Sequence, residues 1–268
     1  MIRTSLVVGW MLIGGWALAQ SVDVPSVKTA ETPSSTERTN RMILDVIRRM
    51  PKGGGYSAAS SATARLRMSH TTAGGRISIH PEVATPSYCS GATYLVLLHV
   101  LGEMQNRGEI ALSSEVIQAL QVQQQPDGVG VWGRWNANGP GTARLFYELQ
   151  VGRSFTHLEK AQPGDFLKIF WKDAVGRSEH GHSVVFLGRE MNGTVPGIRF
   201  WSSNKPGGYG EKWVPESSCA HLLFTRLQRP ASFANVAKLP AKDTYLSEML
   251  TRNSSFEEAL SKSGASAK

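Results

Sequence analysis

The sequence predicts an α+β domain in which N-terminal helices pack on a small antiparallel β-sheet. Apolar residues at helical spacing dominate the chain up to residue 150. After Gly164 the apolar runs are short, rich in β-branched and aromatic residues, and separated by Gly, Pro and Asn. Helices followed by strands, in separate blocks, are typical of helices packed on one sheet. The chain has 268 residues, 41% hydrophobic and 19% charged, a composition typical of a globular protein.

Two segments of the first half have the clearest helical patterns. Residues 37–50 carry an apolar stripe, and Ser34 and Glu37 have the spacing of a capping box. Residues 87–104 include an almost wholly apolar stretch, which predicts a helix buried on most sides with Ser87 as its cap. Shorter helices are predicted over 56–68, 114–124 (capped by Ser113) and 142–150, and strands over 166–171, 182–187, 198–203 and 221–227.

The first residues have the pattern of a secretory signal peptide. Arg3 precedes an apolar run, residues 6–18, that is short for a bilayer span, and Ala17-Leu18-Ala19 fits a signal peptidase site. The alternative is an uncleaved membrane anchor, which the glycines in the run disfavour. We expect a periplasmic or secreted protein with no integral membrane segment after cleavage. The predicted organisation is a signal peptide (1–19), a flexible tether (20–36), a main domain (37–230) and a partly disordered C-terminal extension (231–268).

The formal net charge is +8 at pH 7. Such an excess favours an anionic partner, for example a polyanionic cell wall or an anionic membrane surface. No block of Lys and Arg is dense enough to indicate a nucleic-acid-binding arm, so no nucleic-acid partner is predicted. Diffuse positive charge also favours solubility, and that alternative stays open.

Cys89 is the candidate nucleophile because it stands at the start of the buried helix, followed by Ser90-Gly91. The helix dipole and the free N–H groups at that end favour a thiolate and provide donors for a tetrahedral oxyanion. A cysteine there is otherwise a small buried hydrophobic residue. The alternative for an exported protein is a disulfide between Cys89 and Cys219, the only other cysteine. We predict a free thiol.

His182 is the candidate base, because it begins a predicted core strand that would hold its ring rigidly. His180 is the rival, and a His-x-His metal site is disfavoured because no third and fourth ligand are evident, so no metal or organic cofactor is predicted. Asn204 and Ser202 share one face of the next strand and are the candidates for orienting the imidazole. Asn204 is preferred for its longer side chain and amide oxygen, unless both residues simply end the strand.

Three short motifs give the sequence a family resemblance. Cys89-Ser90-Gly91 on a helix, Pro163-Gly164-Asp165 opening a strand, and Gly181-His182 leading an apolar strand resemble the NlpC-type cell-wall peptidases and the CHAP amidases of the papain-like superfamily. The resemblance implies a papain-like cysteine hydrolase domain over residues 37–230. It implies cleavage of an amide bond in peptidoglycan or its muropeptides, as a stem-peptide peptidase or an amidase.

The chain departs from the family pattern in two places. Tyr88 stands where the family usually has Asp, and a long insertion follows Cys89, with a Trp-rich loop that includes Trp132 and Trp135. Tyr88, Trp132 and Trp135 are therefore the predicted substrate-binding residues. Two other classes of function stay open. One is a non-catalytic module that binds the wall or a protein, and the other is a cysteine acyltransferase or effector hydrolase acting on a non-wall amide.

Overall fold

A computed structural model of the protein describes residues 1, 34–121, 130–132, 134–136 and 139–265, with only the backbone given at 130–132 and 136. The predicted signal peptide and nearly all of the tether lie outside these residues, as does the Trp132 side chain. Among the described residues, no helix combines the length and apolar character needed to cross a membrane.

The helices and strands alternate more than predicted. The α-helices of the described residues are α1 (Ser35–Arg49), α2 (Ser60–Met68), α3 (Cys89–Asn106), α4 (Ser114–Leu120), α5 (Gly141–Glu148), α6 (Thr244–Glu248) and α7 (Phe256–Lys262). The strands are β1 (Gly53–Gly54), β2 (His70–Thr71), β3 (Ser78–Ile79), β4 (Gly130–Trp132), β5 (Trp135–Asn136), β6 (Gly152–Phe155), β7 (Phe166–Phe170), β8 (Val175–Gly176), β9 (Gly181–Asn192), β10 (Val195–Asn204), β11 (Gly208–Pro215), β12 (His221–Leu227) and β13 (Asn253–Ser254).

A seven-stranded sheet organises the fold, in the order β1-β11-β10-β9-β7-β12-β6, and every neighbouring pair is antiparallel. Helix α3 lies against β9 and β10, and α1 packs on α3. The predicted α+β class with an antiparallel sheet is confirmed, although the sheet is larger than predicted. Strands β1, β6 and β11 of this sheet were missed.

Both faces of this sheet are apolar, because side chains alternate between faces along each strand. Val185 and Trp201 belong to the main core that includes α3, whereas Val184, Phe186 and Phe200 belong to a second buried cluster. Cys219 packs against this second cluster. Strands β9 and β10 are thus fixed from both sides, which makes their first and last residues rigid places for catalytic side chains.

The starts of the helices test the predicted caps. The Ser34–Glu37 capping box is confirmed, with the Ser34 N–H donating to Glu37 Oε2 at 2.8 Å and the Glu37 N–H donating to Ser34 Oγ at 3.2 Å. Ser113 caps α4, as predicted, by accepting from the Val116 N–H. The prediction for Ser87 is wrong: α3 begins after Tyr88, and no side chain caps it.

The Pro163-Gly164-Asp165 motif is a structural junction. Asp165 is fully buried and accepts from Arg226 at 2.7 and 2.6 Å, and from Asn40 of α1 at 3.0 Å. Gly164 has φ +95°, and a Cβ there would lie 2.7 Å from the Asn40 carbonyl oxygen. The motif therefore joins α1 to β7 and β12, and only glycine fits at its centre.

We expect Arg226→Ala to destabilise the protein by about 3–5 kcal/mol, because it leaves the Asp165 carboxylate buried without its cation. Arg189→Ala is the matched control. It breaks the Arg189–Glu216 pair, in which the arginine is exposed, and should cost less than about 1 kcal/mol. Urea unfolding of both variants measures the difference, and equal losses would contradict a structural role for the Asp165 junction.

The C-terminal extension is more ordered than predicted. Asp243 accepts from Arg134 at 3.0 Å and from Arg144 at 2.9 Å, which ties the extension to α5. Residues Phe256–Lys262 of the extension, predicted to be partly disordered, form α7 with Ser255 as a hydrogen-bonded cap. Ala259 and Leu260 of this helix are buried, which supplies the apolar contact that the sequence pattern had not revealed.

Candidate active site

Cys89 is the first residue of α3, after Tyr88 in extended conformation (φ −136°, ψ 164°). The next turns of the helix are buried, while Cys89 itself is partly exposed. Gly91 does not keep an approach open, because a Cβ there would lie 3.3 Å from both Leu66 and the Tyr88 ring. The sulfur thus sits at the rim of the domain on a helix end that is packed rigidly behind it.

His182 and Asn204 meet at the ends of adjacent strands. His182 Nε2 and Asn204 Oδ1 are 2.9 Å apart. The Asn204 amide nitrogen donates to the carbonyls of Gly210 (2.8 Å) and Ser202 (3.3 Å), which directs Oδ1 towards the ring. Because Oδ1 only accepts, Nε2 carries the hydrogen, and Nδ1 is the nitrogen free to exchange a proton with the thiol.

Two aromatic side chains flank the His182 ring. The Phe200 ring is edge-on with centroids 5.5 Å apart, and the Trp171 ring is tilted at 6.4 Å. His180, the rival base, has an exposed side chain and lies before β9. The described residues contain no group of His, Cys, Asp and Glu that would hold a metal ion. The geometry brings His182, and not His180, to Asn204.

Ser202 lies beside the site in a supporting position. Its hydroxyl is buried and donates to the Ser183 carbonyl at 2.7 Å, whereas Asn204 contacts the imidazole. The Ser183 N–H in turn lies close enough to the Cys89 sulfur to lower the pKa of the thiol. Ser202 therefore holds the peptide segment that faces the sulfur.

The pKa of the Cys89 thiol is lowered to about 7. Burial opposes this and would raise the pKa, but hydrogen bonding and charge from His182, the Ser183 N–H and the Lys168 ammonium together outweigh it. Lys168 is buried, lies opposite Ser183 on the neighbouring strand, and pairs with Glu179 at 2.5 Å. A large fraction of Cys89 is therefore thiolate at neutral pH, which is the reactive form.

Tyr56 is a site residue that the sequence reasoning missed. Its hydroxyl lies beside Cys89, close enough for the charge of the Cys89 sulfur and the Cys89 backbone N–H both to act on the pKa of the tyrosine. Burial, followed by the charge of Cys89, raises the pKa of Tyr56, so the hydroxyl stays protonated and can donate. Tyr56 follows Gly53, Gly54 and Gly55, all with positive φ, and bridges to Ser87. The triple glycine is the only local signal, and it does not reveal the contact with Cys89.

Two of the three predicted substrate-binding aromatics, Tyr88 and Trp135, are buried. Trp135 is fully buried and its indole N–H donates to Glu148 at 2.6 Å, so the prediction that it binds substrate is wrong. Tyr88 is 7% exposed, and its hydroxyl pairs with Thr63 at 3.1 Å, which makes it a support for the start of α3. The Trp132 side chain lies outside what the structure describes.

Both cysteines are free, and they differ in environment. Burial raises the pKa of Cys219, and its sulfur lies 3.9 Å from the Pro215 carbonyl oxygen. The pKa of the Cys89 thiol is therefore lowered, whereas the pKa of the Cys219 thiol is raised.

We expect Cys89 to be alkylated with a half-maximal rate near pH 7. The rate should fall below that pH, because protonation removes the thiolate, while Cys219 reacts only at higher pH. Iodoacetamide labelling of the native, unreduced protein across pH, with peptide mapping, measures both. A Cys89–Cys219 crosslinked peptide, or parallel pH profiles for the two cysteines, would contradict the assignment.

Comparisons with family models, with curated proteins and with solved structures give no match to this chain. The site geometry, together with the sequence motifs, is therefore the basis for a function.

Proposed function

We propose that this protein is a papain-like cysteine hydrolase that cleaves an amide bond in peptidoglycan, as a stem-peptide peptidase or an amidase. The observation that supports the proposal most is the chain of contacts from Asn204 through His182 to Cys89, with a thiol pKa of about 7. A buried structural cysteine has no need of an oriented imidazole or a lowered pKa.

The reaction needs only the chain's own groups. The Cys89 sulfur attacks the amide carbonyl carbon, and the proton held by the thiol–imidazole pair passes from His182 to the leaving amine as the C–N bond breaks. Water, deprotonated by His182, then attacks the thioester and releases the carboxylic acid and the free thiol. Asn204 keeps the ring in the tautomer that both steps use.

Two hydrogen-bond donors beside the sulfur would stabilise the oxyanion of the tetrahedral intermediate. The Cys89 N–H and the Tyr56 hydroxyl lie beside each other there. An oxygen on the attacked carbon would lie close to both, where the N-terminal end of α3 adds partial positive charge.

Peptidoglycan is proposed as the substrate from the family resemblance, the predicted export and the net charge of +8. The test is digestion of purified peptidoglycan with the wild type and with Cys89→Ala, followed by mass analysis of the fragments. We expect fragments that differ by hydrolysis of one kind of amide bond, released by the wild type alone. Binding without fragments would favour a non-catalytic module, and acyl transfer to an added amine without hydrolysis would favour an acyltransferase.

We expect Asn204→Ala to lower kcat by about ten- to a hundredfold, below the full 10²–10⁴ that general acid–base catalysis contributes. Ser202→Ala should reduce kcat less, because it removes a hydrogen bond to the backbone and not to the ring. Initial rates of both variants on the same substrate decide between them. If Ser202→Ala is the slower enzyme, the third member of the site has been misassigned.

A further inference from the structure

Lys205 is an exposed lysine beside the candidate site that forms no salt bridge with the described residues. Lys205 follows Asn204 directly, its side chain is exposed, and its ammonium lies 5.2 Å from the centre of the Tyr56 ring. No carboxylate of the described residues lies within 4.0 Å of it. The same tyrosine reaches the nucleophile with its hydroxyl. The distance from the ammonium to the sulfur is therefore on the order of 10 Å. A carboxylate that accepts from the ammonium would lie about 7 Å from the sulfur, which is about two residues of extended chain.

The backbone holds this lysine in place. The turn after Lys205 packs on the triple-glycine segment: Gly54 pairs with Gly208, and the Gly55 N–H donates to the Gly207 carbonyl at 3.1 Å. A Cβ on Gly208 would lie 2.2 Å from the Gly53 carbonyl oxygen, so the two segments approach as closely as their backbones permit. The ring beneath the ammonium adds a favourable cation–π contact.

We propose that Lys205 recognises a free carboxylate of the substrate, one or two residues from the scissile amide. The proposal rests on the proposed amide hydrolysis, to which it adds a requirement for an anionic substrate. A cation on a fixed backbone, with no carboxylate partner among the described residues, gains from a ligand that supplies the missing charge. Stem peptides carry free carboxylates, which are neutralised in their amidated forms.

The first experiment needs no hydrolysis. Cys89 is alkylated with anionic iodoacetate and with neutral iodoacetamide at low salt, and the ratio of the two rates is compared among the wild type, Lys205→Met and Lys212→Met. We expect Lys205→Met to lower the iodoacetate-to-iodoacetamide ratio by about two- to tenfold, with the difference shrinking at high salt. Lys212, an exposed lysine of β11, is the matched control and should leave the ratio unchanged. An unchanged ratio in Lys205→Met would overturn the proposal.

The second experiment identifies the carboxylate. Model stem peptides in which each carboxylate is amidated in turn are compared as substrates. We expect one amidation to raise KM for the wild type several-fold and to have no effect on Lys205→Met. Equal sensitivity of both enzymes to every amidation would overturn the proposal. If no peptide is cleaved by any variant, the proposed hydrolysis fails instead, and the alkylation ratio still decides whether Lys205 attracts anions.

Discussion

Cys89→Ala should abolish hydrolysis, by at least about 10⁴-fold, while the protein remains folded. Loss of a nucleophile leaves only binding and oxyanion stabilisation, which catalyse weakly on their own. The structural cost should be small, about 1–2 kcal/mol, because Cys89 is partly exposed and its truncation leaves the packing of α3 behind it intact. Turnover and thermal unfolding, measured together, separate the two effects.

Cys219→Ala is the matched control, since it removes the other free cysteine and should keep full activity. A folded Cys89→Ala protein with wild-type turnover would exclude the thiol mechanism. Equal losses in both variants would indicate a structural effect in place of chemistry.

His182→Ala should be as damaging to activity as Cys89→Ala, and it should also change the thiol. Among the influences on the Cys89 pKa, burial raises it and His182 is the first of those that lower it. Removing the imidazole leaves burial dominant, so the pKa of Cys89 should rise and the thiolate fraction at pH 7 should fall by about tenfold or more. Iodoacetamide labelling across pH should show the half-maximal rate moving to higher pH.

His180→Ala supplies the control for this second result, because it removes an exposed imidazole two residues away. It should leave both the turnover and the labelling profile of Cys89 close to wild type. The reverse order of damage would make His180 the base. A loss of turnover in His182→Ala with an unchanged labelling profile would mean that the imidazole does not act on the thiol.

The two central residues of the site were predictable because their signals are local. The apolar run after Cys89 predicts a buried helix, and the continuous apolar run after His182 predicts a strand buried on both faces, as β9 is. Strand alternation placed Asn204 and Ser202 on one face, and the longer side chain and amide oxygen of Asn204 favoured it. β9 and β10 are neighbours in sequence as well as in the sheet, which made this reasoning local.

The residues that were misread depend on distant partners. Tyr56 lies beside Cys89 because β1, a strand of two glycines, pairs with β11. The sequence of β11 is glycine-rich and partly charged, so it lacks the pattern of a strand. Trp135 was interpreted as a surface aromatic because it stands in a polar, glycine-rich segment. Its burial depends on Glu148 of α5 and on the arginines that surround that carboxylate. Sequence spacing does not reveal such pairings.

The order of strands in the sheet has a consequence for how the chain folds. β12 is the last strand of the main sheet along the sequence, yet it lies inside the sheet between β7 and β6. β1, the first strand along the sequence, forms the opposite edge of the sheet. Elsewhere in the domain, side-chain hydrogen bonds span 125 residues, as between Asn40 and Asp165 or Tyr209 and Ala84. Such long-range closure makes folding slow, on the scale of milliseconds to seconds. A nascent chain that ends before β9 carries Cys89 without His182 and Ser183, two of the groups that lower the pKa of its thiol, so the thiol is activated only after β9 has joined α3.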